Sequence, residues 1–83
     1  MNLKDVQEEI SLLSLIYDGI NVYKSEDDDY QVIFNEEDIH FRIGFEREKC
    51  GGYLASVHYV SGINKHNYRT NSKADLELFM DMV

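Results

Sequence analysis

From Ile39 to Glu46 the chain alternates without a break, Ile39, Phe41, Ile43 and Phe45 taking turns with His40, Arg42, Gly44 and Glu46. Successive side chains of a strand point to opposite faces of a sheet, so this pattern fits a strand with one buried and one wet face. Tyr30, Val32 and Phe34 alternate in the same way with Gln31, Ile33 and Asn35, and Tyr53, Ala55, Val57 and Tyr59 with Leu54, Ser56, His58 and Val60. A shorter strand with weaker alternation, Ile20 to Lys24, precedes them. The separators Ser25 to Asp29, Glu36 to Asp38 and Arg47 to Gly52 are polar and short enough for hairpins. The pattern predicts a four-stranded antiparallel meander with one apolar and one solvated face.

Both ends of the chain switch to a helical period. Val6, Ile10, Leu13 and Ile16 or Tyr17 recur at spacings of three and four, which predicts a helix from about Leu3 to Tyr17. Gly19 after Asp18 suits the left-handed turn that follows a helix end. Leu76, Phe79, Met80 and Val83 form a second stripe, and Ser72 with Asp75 three residues on gives a start like a capping box. Ser61 to Asn71, with Gly62, three asparagines and few apolar residues, reads as a surface loop. The expected fold class is α+β: an N-terminal helix, a four-stranded antiparallel meander sheet and a C-terminal helix in a single domain, residues 1–83. The second helix reaches Val83 without a capping signal, as in a fragment of a longer protein.

Composition narrows the choice of partner. The net charge of −8 argues against a nucleic-acid backbone or an anionic membrane, both of which demand cationic surface; a protein partner or a basic peptide fits better. The chain is 43% hydrophobic, with six tyrosines and four phenylalanines, enough for a core. With Cys50 as its single cysteine it forms no internal disulfide, which favours a reducing, intracellular setting, cytoplasmic or nuclear. No apolar run approaches the roughly 20 residues of a membrane span, and the start Met-Asn-Leu-Lys-Asp-Val-Gln-Glu-Glu is too acidic for a signal peptide.

The segment Glu9-x-x-x-Leu13-x-x-Ile16-Tyr17 resembles the opening helix of the RWD family, the non-catalytic relatives of ubiquitin-conjugating enzymes, and the expected order of helix, four strands, loop and helix resembles the fold that these groups share. The chain departs from the family in two places. Lys49-Cys50-Gly51-Gly52-Tyr53 stands where members usually carry Tyr-Pro-x-x-x-Pro, and the sequence contains no proline; the expected final long helix is missing or truncated. The resemblance implies a protein–protein interaction module, an adaptor or docking domain in ubiquitin ligases, in translation-stress assemblies or in kinetochore scaffolds. An alternative is a catalytically inactive ubiquitin-conjugating-like variant that binds ubiquitin machinery.

Conjugating chemistry requires a cysteine nucleophile beyond the fourth strand and an asparagine in a His-Pro-Asn segment for the oxyanion. Nothing from Ser61 to Val83 is cysteine or proline, and Cys50 lies in a turn before the fourth strand, so the chain reads as a non-enzyme. His40 and His58 share the outward parity of the third and fourth strands. One register sets them opposite each other, and a shifted register sets His58 against Arg42. With His66 in a separate loop, their spacing is not that of a zinc site. Ser25 to Tyr30 lacks the ligand plan of a calcium loop, and neither a Gly-x-Ser-x-Gly nor a phosphate-cradling glycine loop occurs. No cofactor is expected.

Candidate partner-binding residues follow by subtracting the expected core. Lys4, Asp5, Glu8 and Glu9 form a polar edge of the first helix. Asp27 and Asp28, with Asp29, mark a hairpin tip suited to a basic partner, partly neutralised by Arg47 and Lys49, while Glu36 to Asp38 sit at the other end of the sheet. Arg42 and His58 belong to the outer sheet face. Leu12 and Leu15 lie off the inward stripe and, with Leu54, would give a homodimer contact on adjoining surfaces.

Overall fold

The computed structural model describes all 83 residues. Its elements are α1 (Leu3–Ile16), β1 (Asn21–Lys24), β2 (Tyr30–Glu36), β3 (Ile39–Arg47), β4 (Tyr53–Ser61), β5 (Asn64–Thr70) and α2 (Lys73–Met82). The five strands pair in sequence order, every pair antiparallel.

A capping box starts α1. The Asn2 side chain accepts from the Asp5 N–H at 2.8 Å, and the Asp5 carboxylate accepts from the Asn2 N–H at 3.0 Å, so two helix-terminal donors are satisfied reciprocally. Val6 and Leu13 are buried. Tyr17, just past the helix, completes the stripe by stacking on Phe34, whereas Ile16 is 60% exposed. Gly19 then takes the left-handed conformation, with φ 67°.

Alternation holds along β2, β3 and β4. Val22, Val32, Ile43, Val57 and Tyr68 lie in one row across the sheet. A neighbouring row stacks aromatic rings: Phe34 on Phe41 at 4.9 Å, Phe41 near Tyr59 at 5.5 Å and Tyr59 on His66 at 4.4 Å between centroids. Both helices cover this face, adding Val6, Leu13 and Leu76 to a core of Val32, Phe34, Phe41, Ile43, Phe45 and their neighbours. Leu76 is buried, Phe79 lies flat against Tyr68, and Val83 falls outside the expected stripe, 43% exposed.

The segment Ser61 to Asn71 is not a loop, and the sheet has five strands, not four. Gly62, at φ 62°, and Ile63 make a two-residue turn, and Asn64–Thr70 returns along β4. The left-handed glycine of such a turn was the available signal. Strand β5 escapes hydrophobic patterning because only α2 crosses it, so Tyr68 and Thr70 bury enough on the inner side, while Lys65 and Arg69 guard an edge strand against foreign pairing.

Only half of the expected box begins α2. Ser72 accepts from the Asp75 N–H at 3.3 Å, but the Ser72 N–H donates to the Thr70 hydroxyl at 3.0 Å and not to Asp75. The β3–β4 turn, where the chain departs from the proline-bearing segment, is built on two glycines. Gly51 and Gly52 have φ of 90° and 80°, and a Cβ on Gly52 would stand 3.1 Å from the Met1 carbonyl oxygen. That carbonyl accepts from the Tyr53 N–H at 2.7 Å, so the turn packs the amino-terminal residues against β4. No helix is long and apolar enough to cross a membrane.

Candidate functional site

Where α1 and α2 lie side by side on the sheet they leave a groove of about 210 Å3. Leu12, Leu13, Ile16, Tyr17 and Met80 supply its apolar lining, and Glu9, Glu77 and Asp81 its charge. No basic side chain lines it. Glu9 was expected on an exposed polar edge; it is 3% exposed, and its Oε1 accepts no hydrogen bond from the chain. The signal was present in the sequence: Glu9 stands three residues after Val6 and four before Leu13, hence on the apolar stripe itself. Burial above all pushes its carboxyl up to about 8, helped by the close approach and negative charge of Glu77 and by the charge of Asp5, and opposed by Lys73. Glu77 and Asp81 lie on α2 between and beyond the stripe residues Leu76, Phe79 and Met80, and sequence reading did not single them out.

Beside the groove, Glu8 binds the Lys73 ammonium and stands 4.0 Å from that of Lys4. The Lys73–Glu8 hydrogen bond ties the helices together and holds the Lys73 ammonium above its ordinary range. Asp5 is committed to the α1 cap. Lys4, Asp5 and Glu8 are therefore engaged locally. Leu15 is 85% exposed and Leu12 40% exposed. Leu54 does not adjoin them, since it lies on the outer parity of β4 between the buried Tyr53 and Ala55. The three leucines thus do not form one patch.

At the β1–β2 tip, one of the three aspartates is ion-paired and a second is hydrogen-bonded. Asp28 stands 3.3 Å from the Lys24 ammonium and 3.4 Å from the Arg47 guanidinium, and Asp29 accepts from the Arg47 backbone N–H at 2.8 Å. The Ser25 hydroxyl accepts from the N–H groups of Asp27 and Asp29, and the Tyr53 hydroxyl donates to the Asp28 carbonyl at 3.0 Å. Burial, more than the neighbouring Tyr30, raises the Tyr53 phenol above its ordinary value. The turn is closed by its own charges, and Asp27 alone among the three aspartates makes no side-chain bond.

The other sheet face carries no helix. Arg42 faces His58 across β3 and β4, which settles the register, and His40 faces Val60. Lys65 and Arg69 of β5 join Arg42 on this side, and none of the three enters an ion pair. Sequence reading missed Lys65 and Arg69 with the strand that carries them. Unlike the helical side, this face concentrates positive charge.

Cys50 is exposed in the β3–β4 turn, its Sγ 3.7 Å from the Gly51 carbonyl oxygen. The structure gathers no three His, Cys, Asp or Glu side chains into a metal-sized cluster; His66 packs on Tyr59, and His40 contacts Asn35. No family model, curated protein or solved structure matches the chain.

Proposed function

We propose that the chain is a non-catalytic protein–protein interaction module of RWD type, an adaptor that holds partners together in a larger assembly. The observation that carries this reading is the uncovered outer face of the sheet. Both helices pack on the opposite side, leaving Arg42, His58, Lys65 and Arg69 displayed on a rigid five-stranded platform with no counter-ion from the chain. Charged groups presented on regular elements set partner choice and encounter rate. The motif that resembles the family occupies structural positions in α1: Glu9 and Leu13 are buried and Tyr17 stacks on the core. The fifth strand sets the chain apart from the four-stranded arrangement that the resemblance implies. Assemblies of ubiquitin ligases, translation-stress regulators or scaffolds are the settings in which this module would act.

The test is affinity capture from cell extract with the purified chain, next to an Arg42→Glu/Arg69→Glu variant that leaves the core untouched. A partner retained by the parent and lost by the variant supports an adaptor reading through the sheet. Capture of nothing by either protein counts against it.

A further inference from the structure

We infer that the groove between α1 and α2 is a docking site for a basic amphipathic peptide segment of a protein partner, one that seats an apolar side chain against Leu12, Ile16 and Met80 and sets an arginine or lysine on Glu9 and Glu77. The inference deepens the adaptor reading and rests on it.

Size, lining and charge choose the occupant. At about 210 Å3 the groove falls below the roughly 300 Å3 at which small-molecule sites begin, so it has room for one or two side chains and not for a cofactor. Its walls are apolar and partly open, with Ile16 60% and Leu12 40% exposed. Its three charged groups are all carboxylic. The nearest cation, Lys73, is already bound to Glu8. A partner with apolar and acidic side chains would meet like charge; one with apolar and basic side chains completes the site.

The buried carboxyl gives the second, independent observation. A buried polar oxygen without a partner costs free energy in the free protein, and Glu9 Oε1 is such an atom. A guanidinium is the donor best matched to a carboxylate, which it engages with two parallel bonds. An anionic peptide, an anionic lipid headgroup or a phosphate would bring negative charge to a groove whose charged groups are all carboxylic.

Docking carries a proton signature. Glu9, facing Glu77 and Lys73 of α2 and Asp5 of its own helix, retains its proton at neutral pH. A cation set beside it favours the carboxylate, so binding releases that proton. Affinity accordingly rises about tenfold per pH unit below Glu9's titration and levels off above it.

The experiment is a titration of the isotope-labelled chain with a capped peptide of Leu, Ala and Arg whose leucines recur at helical spacing, beside the same peptide with each Arg replaced by Glu. Expected are amide shifts at Leu12, Ile16, Tyr17 and Met80 with the Arg peptide and none with the Glu peptide. Tightening from pH 6 to pH 8, and at least tenfold weakening by Glu9→Gln/Glu77→Gln, are expected as well. Leu12→Lys, at a position 40% exposed and outside the core, removes an apolar contact and repels the Arg peptide, so it should also weaken binding. Shifts confined to the Asp27 tip, no binding, or full binding by all variants overturns the groove. If extract capture yields a partner whose binding survives these groove variants, the groove falls and the adaptor reading stands. If the Arg peptide docks in the groove while extract yields no partner, the groove's chemistry holds but the adaptor reading falls, and with it the assignment of the groove to a partner protein.

Discussion

The ring of Tyr17 lies on that of Phe34 with centroids 4.4 Å apart and planes inclined by 28°. This contact joins the end of α1 to the inner face of β2, and a second, at 6.3 Å, reaches Phe41 of β3. Burial raises the Tyr17 phenol above its usual value, and the charges of Glu36 and Asp81 add to the effect. Tyr17→Ala removes the ring and leaves a gap against Phe34, so it should destabilise the chain by about 3 kcal/mol. Tyr17→Phe keeps the stack and should stay within about 0.5 kcal/mol of the parent. Urea denaturation distinguishes the two; equal losses in both variants would show that the hydroxyl matters and the stack does not.

Ile43 is fully buried at the centre of the middle strand, flanked across the sheet by Val32 and Val57. A carboxylate there has no partner, and Ile43→Asp should unfold the chain, as judged by loss of chemical-shift dispersion. The adjacent Arg42 faces solvent, and Arg42→Ala should leave stability within about 0.5 kcal/mol. A folded Ile43→Asp protein would mean that the faces of the sheet are assigned the wrong way round.

The two aspartates at the β1–β2 tip should respond differently. Asp28 has a left-handed backbone, φ 62°, and its exposed ion pairs with Lys24 and Arg47 are solvent-screened. Asp28→Gly relieves the backbone while losing those pairs, and the two small effects should nearly cancel. Asp29 accepts from the Arg47 backbone N–H at the end of β3, and Asp29→Ala should cost about 1 kcal/mol. Thermal melts of the pair decide this; a larger loss for Asp28→Gly would show that the ion pairs hold the turn.

How far the fold could be read from the sequence depended on how much of each element faces the core. Strands β2, β3 and β4 announce themselves because their inner residues must bury Phe34, Phe41, Ile43, Phe45 and Val57 beneath two helices. Strand β5 stays silent: at the sheet's edge, His66 meets Tyr59 and only Tyr68 and Thr70 reach the core side to any depth. A backbone ladder to β4, which leaves no trace in hydropathy, holds it. The helix-side site was legible by half. Glu9 sits on the α1 stripe at core spacing, but the pairing of Glu9 with Glu77 depends on where α2 lands, and that is a tertiary fact no local pattern contains. For the same reason Arg42 could be placed on the outer face from alternation alone, while its neighbours Lys65 and Arg69 could not.

Glu9 also makes stability depend on pH in an uncommon direction. Its carboxyl titrates at about 8 in the folded chain against 4.5 as the ordinary value, with burial as the main cause. Between these two values the folded state holds a proton that the unfolded state has released, so unfolding becomes easier as pH rises. The contribution of Glu9 is fully present below pH 4.5 and is lost as pH climbs towards 8. The ceiling is about 1.4 kcal/mol per pH unit; with the groove open to solvent on one side, a total of about 2 kcal/mol is the reasonable scale. Glu9→Gln keeps the shape and carries no titratable proton. Its urea midpoint should therefore match the parent near pH 5, exceed it at pH 8, and follow a flatter course between. Parallel curves for the two proteins across that range would show that Glu9 is ionised in the folded state, and that the carboxyl finds a partner in the groove already.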